Sequence, residues 1–324
     1  MTTLLAALAT ANDAAPDVGE DHAQILEGLG ARQKWISPKY FYDERGSELF
    51  DQICRLPEYY PTRTELTLMD RHLAEIASLV GPRAAVIEFG AGSNLKVRKL
   101  LNHLERPAAY VPVEISADYL VKQAEELARD YPNVHVQPVF ADFTEPFELP
   151  SHPVMPARNL IFFPGSTIGN FTRPQAAELL AVMRHEARAG GALLIGVDLR
   201  KNPATLHAAY NDNQGVTAAF NLNVLRRLNR ELGADFVLEH FRHEAIYDQG
   251  EGRIEMRLVS TRPQTISLAG QQIAFAQEEH IITEYSHKYS IEEFVALAEG
   301  AGFDAGKTWV DEDSLFSIHF MTAR

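Results

Sequence analysis

Between Val86 and Leu199 the chain alternates short apolar runs with helix-patterned stretches, and this rhythm restricts the fold more than any other feature. The apolar runs are "AAVIEF", "AAYVPVEI", "VHVQPVFA", "NLIFFPG" and "GALLIGVDL". Between them, "NLKVRKLLNHL", "ADYLVKQAEELARDY" and "RPQAAELLAVMRHEARAG" carry apolar residues at helical spacing. The last helix is expected to stop at Gly190–Gly191, because glycine accepts the left-handed conformation that ends many helices. Strands apolar along their whole length need cover on both faces, which a parallel sheet flanked by helices provides. The expected class is α/β, and in such sheets ligands bind beyond the carboxyl ends of the strands.

After Leu199 the rhythm breaks. "NPATLHAAYNDNQGVTAAFNLNVLRRLNREL" reads as helical, and the stretch from Phe241 to Tyr289 as strands joined by Gly- and Pro-marked turns. This predicts an inserted second unit, with residues 30–62, rich in Tyr, Phe and Pro, packing against it. "SIEEFVALAEGAGFDAGKTWVDEDSLFSIHFMTAR" returns to helix, strand and strand, a final antiparallel hairpin that would complete the first sheet.

The turn after the first strand, "EFGAGSNL", carries Gly90 and Gly92. Glycine lets a ligand lie against the main chain, so strand–Gly-x-Gly–helix suits any nucleotide-like molecule. A dinucleotide fingerprint needs a third small residue three positions further on, and Leu95 is large. Acidic residues fall at or near successive strand ends: Glu88, Glu114 and Asp142. Glu114 is placed to accept hydrogen bonds from both ribose hydroxyls. Asp142 is placed to receive an adenine amino group while Phe143 lies against the ring. That combination favours S-adenosylmethionine, which has no pyrophosphate, over a nicotinamide cofactor. The fourth strand end, "FFPGSTIGNFT", lies where the donor methyl should project, with Thr172 as the expected cap of the next helix. Lys96, Gly165 and Thr167 complete the expected donor contacts.

Bulk properties narrow the partners. A net charge of −14 over 324 residues argues against a phosphate-backbone partner. The single cysteine, Cys54, excludes an intramolecular disulfide and fits a reducing, cytoplasmic setting. No apolar run approaches the ~20 residues that span a bilayer. The opening "MTTLLAALATANDAAP" has no basic region of the kind that starts a signal peptide, and reads as a short helix or mobile lead. The pairs His240/His243 and His280/His287 lack a convincing third ligand, so no metal is expected.

Five longer strings then carry a resemblance: "PKYFYDERGSELFDQICRLPEYYPTRTE", "FFPGSTIGNF", "YNDNQGVTAAFNLNVLRRLNRELGADF", "RIEMRL" and "ITEYSHKY". Together they resemble the histidine-specific N-methyltransferases of ergothioneine biosynthesis, from about residue 30 onward. The resemblance implies a Rossmann-like class I methyltransferase sheet over 63–199 and 289–324. It also implies an α+β substrate-binding domain built from 12–62 and 200–288. The implied reaction converts L-histidine to hercynine in three methyl transfers from S-adenosylmethionine. Carried over, Asn170 and Tyr210 would hold the substrate carboxylate, and Tyr42 and Tyr59 would line the amino-group end as the catalytic candidates. Glu284 and Ser286 would hold the imidazole, with Met256 beside it. All seven positions carry the residue the family uses. The departures are mild: the loop reads Gly90-Ala91-Gly92, and Glu114 stands where relatives often have Asp. The implied partners are L-histidine and its mono- and dimethyl forms, with no obligate protein partner.

Two alternatives stand beside this reading. One is the same fold acting on another aromatic amino acid or on a ring nitrogen of histidine. The other is a nicotinamide-dependent oxidoreductase, which calorimetry with S-adenosylhomocysteine against NADH would separate.

Overall fold

In the computed structural model, residues 18–324 are described apart from 116, 146 and 153. They divide into two compact units: 61–199 with 289–324, and the described residues through Tyr60 with 200–288. The first division falls at Tyr60 rather than at the expected residue 62, because the long helix Tyr60–Val80 begins there. The expected domain start at residue 12, like the lead "MTTLLAALATANDAAP", lies outside the described residues.

The sheet of the first unit is built from β1 (Ala84–Phe89), β2 (Ala109–Glu114), β3 (His135–Val136), β4 (Val139–Phe140), β5 (Arg158–Phe163), β6 (Ala192–Asp198), β7 (Phe303–Val310) and β8 (Phe316–Ala323). Their order is β7-β8-β6-β5-β1-β2-β3, with β4 also alongside β2. β1 to β6 run parallel, while β8 is antiparallel to β6 and β7 to β8. This is the α/β class the strand rhythm predicts, closed by the expected hairpin. The third strand is split: Gln137 N–H still donates to Tyr110, but Pro138 has no N–H to continue the ladder.

Alternation along the strands divides the core between the two faces. Val86, Tyr110, Leu160 and Leu194 pack with Leu68, Leu73 and Ile76 of the helix Tyr60–Val80. Their neighbours Ile87, Val111, Ile161 and Ile195 pack with Leu179, Met183 and Phe294 from the helices Arg173–Ala187 and Ile291–Gly300. The central strands β1 and β6 are buried along their whole length, whereas most of β7, at the sheet edge, is exposed.

The helix Arg173–Ala187 starts at Thr172 as expected, with the Thr172 N–H donating to Gln175 Oε1 at 3.0 Å. It ends before the glycine pair, at Arg188, which itself takes a positive φ of 62°. The glycines serve the sheet instead: Gly190 N–H donates to Ala323, and Ala323 N–H to Gly191.

The second unit holds a four-stranded sheet in the order Lys34–Trp35, His280–His287, Arg253–Ser260, Phe241–Asp248. A separate hairpin pairs Gln264–Leu268 with Gln271–Phe275. The early segment is tied to the helix Val216–Leu232 by a Phe41–Phe220 stack with centroids 4.5 Å apart. Asp43 adds to this by capping the helix Glu44–Ile53 through the Gly46 N–H and accepting Asn223 Nδ2 at 2.7 Å.

Candidate active site

Three loops at strand ends of the first unit carry the expected donor residues. Gly90 has φ +71° and a Cβ there would lie 3.3 Å from the Phe143 ring, so the position demands glycine twice over. Around Gly92 an added Cβ meets nothing within 4 Å, which leaves the loop's backbone open to a ligand. Glu114 closes β2, and its Oε1 accepts the Ile115 N–H at 2.9 Å. Asp142 Oδ1 is held by the Thr144 amide and hydroxyl at 3.0 and 2.6 Å, fixing the carboxylate by an Asx-type turn. Phe143 packs on Phe89 and Phe163, both with centroids 5.9 Å away.

After β5 the chain makes two consecutive left-handed residues, Gly165 at φ +84° and Ser166 at φ +59°. Serine rarely adopts this conformation. Here its Oγ accepts the buried Asp198 N–H at 2.9 Å, which holds it in place. A 3-10 turn, Thr167–Asn170, follows, and Thr167 Oγ1 donates to Pro164 at 3.1 Å. Asn170 is the last residue of this turn. Lys96, near the start of the helix Leu95–Leu101, places its Nζ 2.5 Å from Glu65 Oε2.

Glu88 lies near a strand end as expected, one residue before the last of β1. It is buried and accepts the Tyr110 hydroxyl at 2.5 Å. Burial raises its pKa to about 7, against the opposing hydrogen bond from Tyr110.

The second unit gathers the other expected residues. Glu284 and Met256 are direct partners across the strands His280–His287 and Arg253–Ser260, next to a bulge between Ile282 and Glu284. Bulges re-aim side chains, and this one precedes the single acid of the strand. Glu284 keeps some surface exposure, yet burial raises its pKa to about 7, with the Lys288 charge pulling the other way. Ser286 lies two residues on and so shares the face. Its Oγ is 2.9 Å from the Tyr210 hydroxyl.

Tyr59 stands edge-on to Tyr210, with centroids 6.2 Å apart, and near Phe50 at 6.4 Å. Tyr42, 37% exposed, packs on Phe50 and Phe220. Burial, then the neighbouring Tyr210, Cys54, Glu284 and Tyr42, push the Tyr59 phenol well above its usual range. At neutral pH that phenol keeps its proton, so Tyr59 can orient an amine or relay a proton but cannot act as an anionic base.

Two charged residues in these neighbourhoods escape sequence reasoning. Lys288 is fully buried and donates to Tyr210 Oη at 3.0 Å and to Ser286 Oγ at 2.8 Å. Glu65, on the helix Tyr60–Val80, is buried against Lys96 and the Gly165 amide. The "RTE" ending of "YYPTRTE" was the only available signal for Glu65. Among the described residues no group of three or more His, Cys, Asp or Glu could hold a metal. His243 spends both ring nitrogens on Asn221 and the Tyr210 carbonyl. No helix among the described residues is long and apolar enough to cross a membrane.

The chain matches the family model described as "Histidine-specific methyltransferase, SAM-dependent" over residues 21–323. It is 39% identical to a histidine N-alpha-methyltransferase of Mycolicibacterium smegmatis, covering 98% of both chains. A second histidine N-alpha-methyltransferase, from Mycobacterium tuberculosis, is 39% identical over 91% of this chain and 92% of that one. An ergothioneine biosynthesis protein 1 of Neurospora crassa is 31% identical over 83% of this chain and 31% of its own length.

Proposed function

The chain belongs to the SAM-dependent, histidine-specific methyltransferases, and from that premise we propose that it methylates the α-amino nitrogen of L-histidine. Three transfers would give hercynine, the trimethyl betaine, as the first step of ergothioneine formation. The observation that supports this reading is a group in the second unit suited to a ring: Glu284 opposite Met256, and Ser286 on the same face. An imidazole presents two nitrogens, and a carboxylate with a hydroxyl supplies a partner for each.

In this reading the first unit holds S-adenosylmethionine. Glu114 takes the ribose hydroxyls, Asp142 and Phe143 the adenine, and Gly90 and Gly92 the closely approaching backbone contacts. Lys96, Gly165 and Thr167 serve the remaining end. The open space beside Gly92 and the positive φ at Gly90 and Gly165 suit a ligand lying on the main chain. When bound, the donor supplies an electrophilic methyl carbon on a sulfonium.

The chain's own part is positioning, the largest contribution available to an in-line displacement. Tyr210 would fix the amino-acid carboxylate, and Glu284 and Ser286 the ring, so the amine keeps one direction. Tyr42 and Tyr59 would orient the amine and pass its proton outward through water before each transfer. The quaternary product is stabilised against tyrosine faces by cation–π attraction. The same site takes the mono- and dimethyl intermediates, and the single cysteine suits a cytoplasmic enzyme.

The test is mass spectrometry of histidine incubated with the protein and S-adenosylmethionine. The expected product carries three added methyl groups, with fragmentation placing them on the α-nitrogen. A methyl group on a ring nitrogen, or no mass gain, would overturn the reading.

A further inference from the structure

Three elements of the first unit converge on one carboxylate. Glu65 is 2% exposed, and both its oxygens lie within reach of the Gly165 N–H, at 2.9 and 3.0 Å. Its Oε2 is also 2.5 Å from Lys96 Nζ. β6 makes room for this carboxylate: a Cβ on Gly196 would fall 2.1 Å from Glu65 Oε1. A side chain at position 196 and the carboxylate in its present place are therefore mutually exclusive. A Cβ on Gly165 would in turn come within 3.3 Å of the Lys96 ammonium.

Burying a carboxylate is unfavourable unless a cation and hydrogen bonds compensate it, and an apolar side chain of similar volume often serves stability as well or better. What Glu65 joins points to its use. Lys96 follows the Gly90–Gly92 loop after β1, and Gly165 begins the turn after β5. β1 and β5 are neighbours at the point where the strand order reverses, the place where open α/β sheets bind ligands. One side chain thus ties together the two loops that flank the switch point.

We propose that Glu65 is a positioning residue of the donor site, holding the Lys96 ammonium and the Gly165 amide in a single arrangement toward the donor. This rests on the reading of the first unit as the S-adenosylmethionine site. Glu65 needs no contact with the donor; it acts through Lys96 and Gly165.

The experiment is a double-mutant cycle on S-adenosylhomocysteine affinity, by calorimetry well below the melting temperature, using E65Q, K96M and the pair. Gln at 65 still accepts the Gly165 N–H but loses the charge that holds Lys96. Each single variant should weaken binding by about tenfold, and the pair by little more than either, because they remove one coupled unit. A lower melting temperature with wild-type affinity in the E65Q protein would mean that Glu65 serves the fold alone and would overturn the proposal. So would fully multiplicative losses. Should E65Q not fold, E65D keeps the charge but is too short to serve both partners. It should weaken binding about fivefold, and unchanged affinity there overturns the proposal equally. Wild-type protein that binds no S-adenosylhomocysteine would defeat the donor reading itself, and this proposal with it.

Discussion

Glu284 and Met256 face each other across two strands; in the proposed reading one supplies charge to the substrate ring and the other sets the room beside it. The Glu284 carboxylate matches an imidazole; an indole has one N–H and fewer ways to satisfy its surroundings. Replacing Glu284 by Ala and Met256 by Val should cut kcat/KM for histidine more than tenfold, since a charged hydrogen bond of ~1.5–3 kcal/mol is lost. Activity on tryptophan should rise, but by less, because removing a misfit supplies no new partner for the indole. An unchanged histidine-to-tryptophan ratio of kcat/KM would show that these residues do not read the ring. Glu284 and Ser286 enter the reading through the resemblance that the string "ITEYSHKY" carries, and not through their spacing. Lys288 was in the same string and was missed, since its meaning lies in Tyr210, 78 positions away. Glu65 was harder still, its Gly165 partner being 100 positions distant.

At the level of elements, the central strands β1, β2, β5 and β6 of the first sheet were legible because burial on both faces writes an uninterrupted apolar run. The exceptions have local causes. Pro138 splits the third strand, and the glycine pair after the helix Arg173–Ala187 is claimed by pairing with Ala323. Glu88 is the polar residue in β1, linked to Tyr110 on β2. Its pKa of about 7 in the fold compares with 4.5 for an unstructured glutamate. A raised folded pKa gives stability that is full below about 4.5 and is lost as pH rises through about 7. Glu284, raised in the same way, adds to the loss in the same window. Glu88→Gln keeps an acceptor for the Tyr110 hydroxyl and removes the ionisation. The variant should therefore gain stability relative to wild type between pH 5 and pH 8, by up to about 3 kcal/mol. Thermal melts of both proteins at the two pH values check this, and an equal difference at both would show that Glu88 does not ionise in that range.

For the molecule as a whole, the break after Leu199 marks where the second unit enters, and Leu199 and Tyr289 are bridged in parallel at its exit. Closing a long insertion onto adjacent residues is inexpensive, because closure entropy grows only slowly with length. The break in rhythm was therefore readable in the sequence. That the early segment joins the insertion in one unit was readable from the family resemblance, since its aromatic content alone does not specify a partner. The sheet itself is finished by β8, paired with β6 from Phe316 opposite Asp198 to Thr322 opposite Ala192. Removing residues 303–324 would expose the edge of β6, a strand buried along its whole length. Such a chain should partition to the insoluble fraction or bind a hydrophobic dye strongly, and a soluble monomer with a native circular-dichroism spectrum would refute this. The same pairing has a consequence for biogenesis. Ser317 and Val197, hydrogen-bonded in the finished sheet, are 120 positions apart. At translation rates of about 5–20 residues per second, β6 waits on the order of ten seconds for its neighbour to leave the ribosome. During that interval the nascent chain carries an open, apolar sheet edge, and the yield of folded enzyme in a cell depends on what shields it.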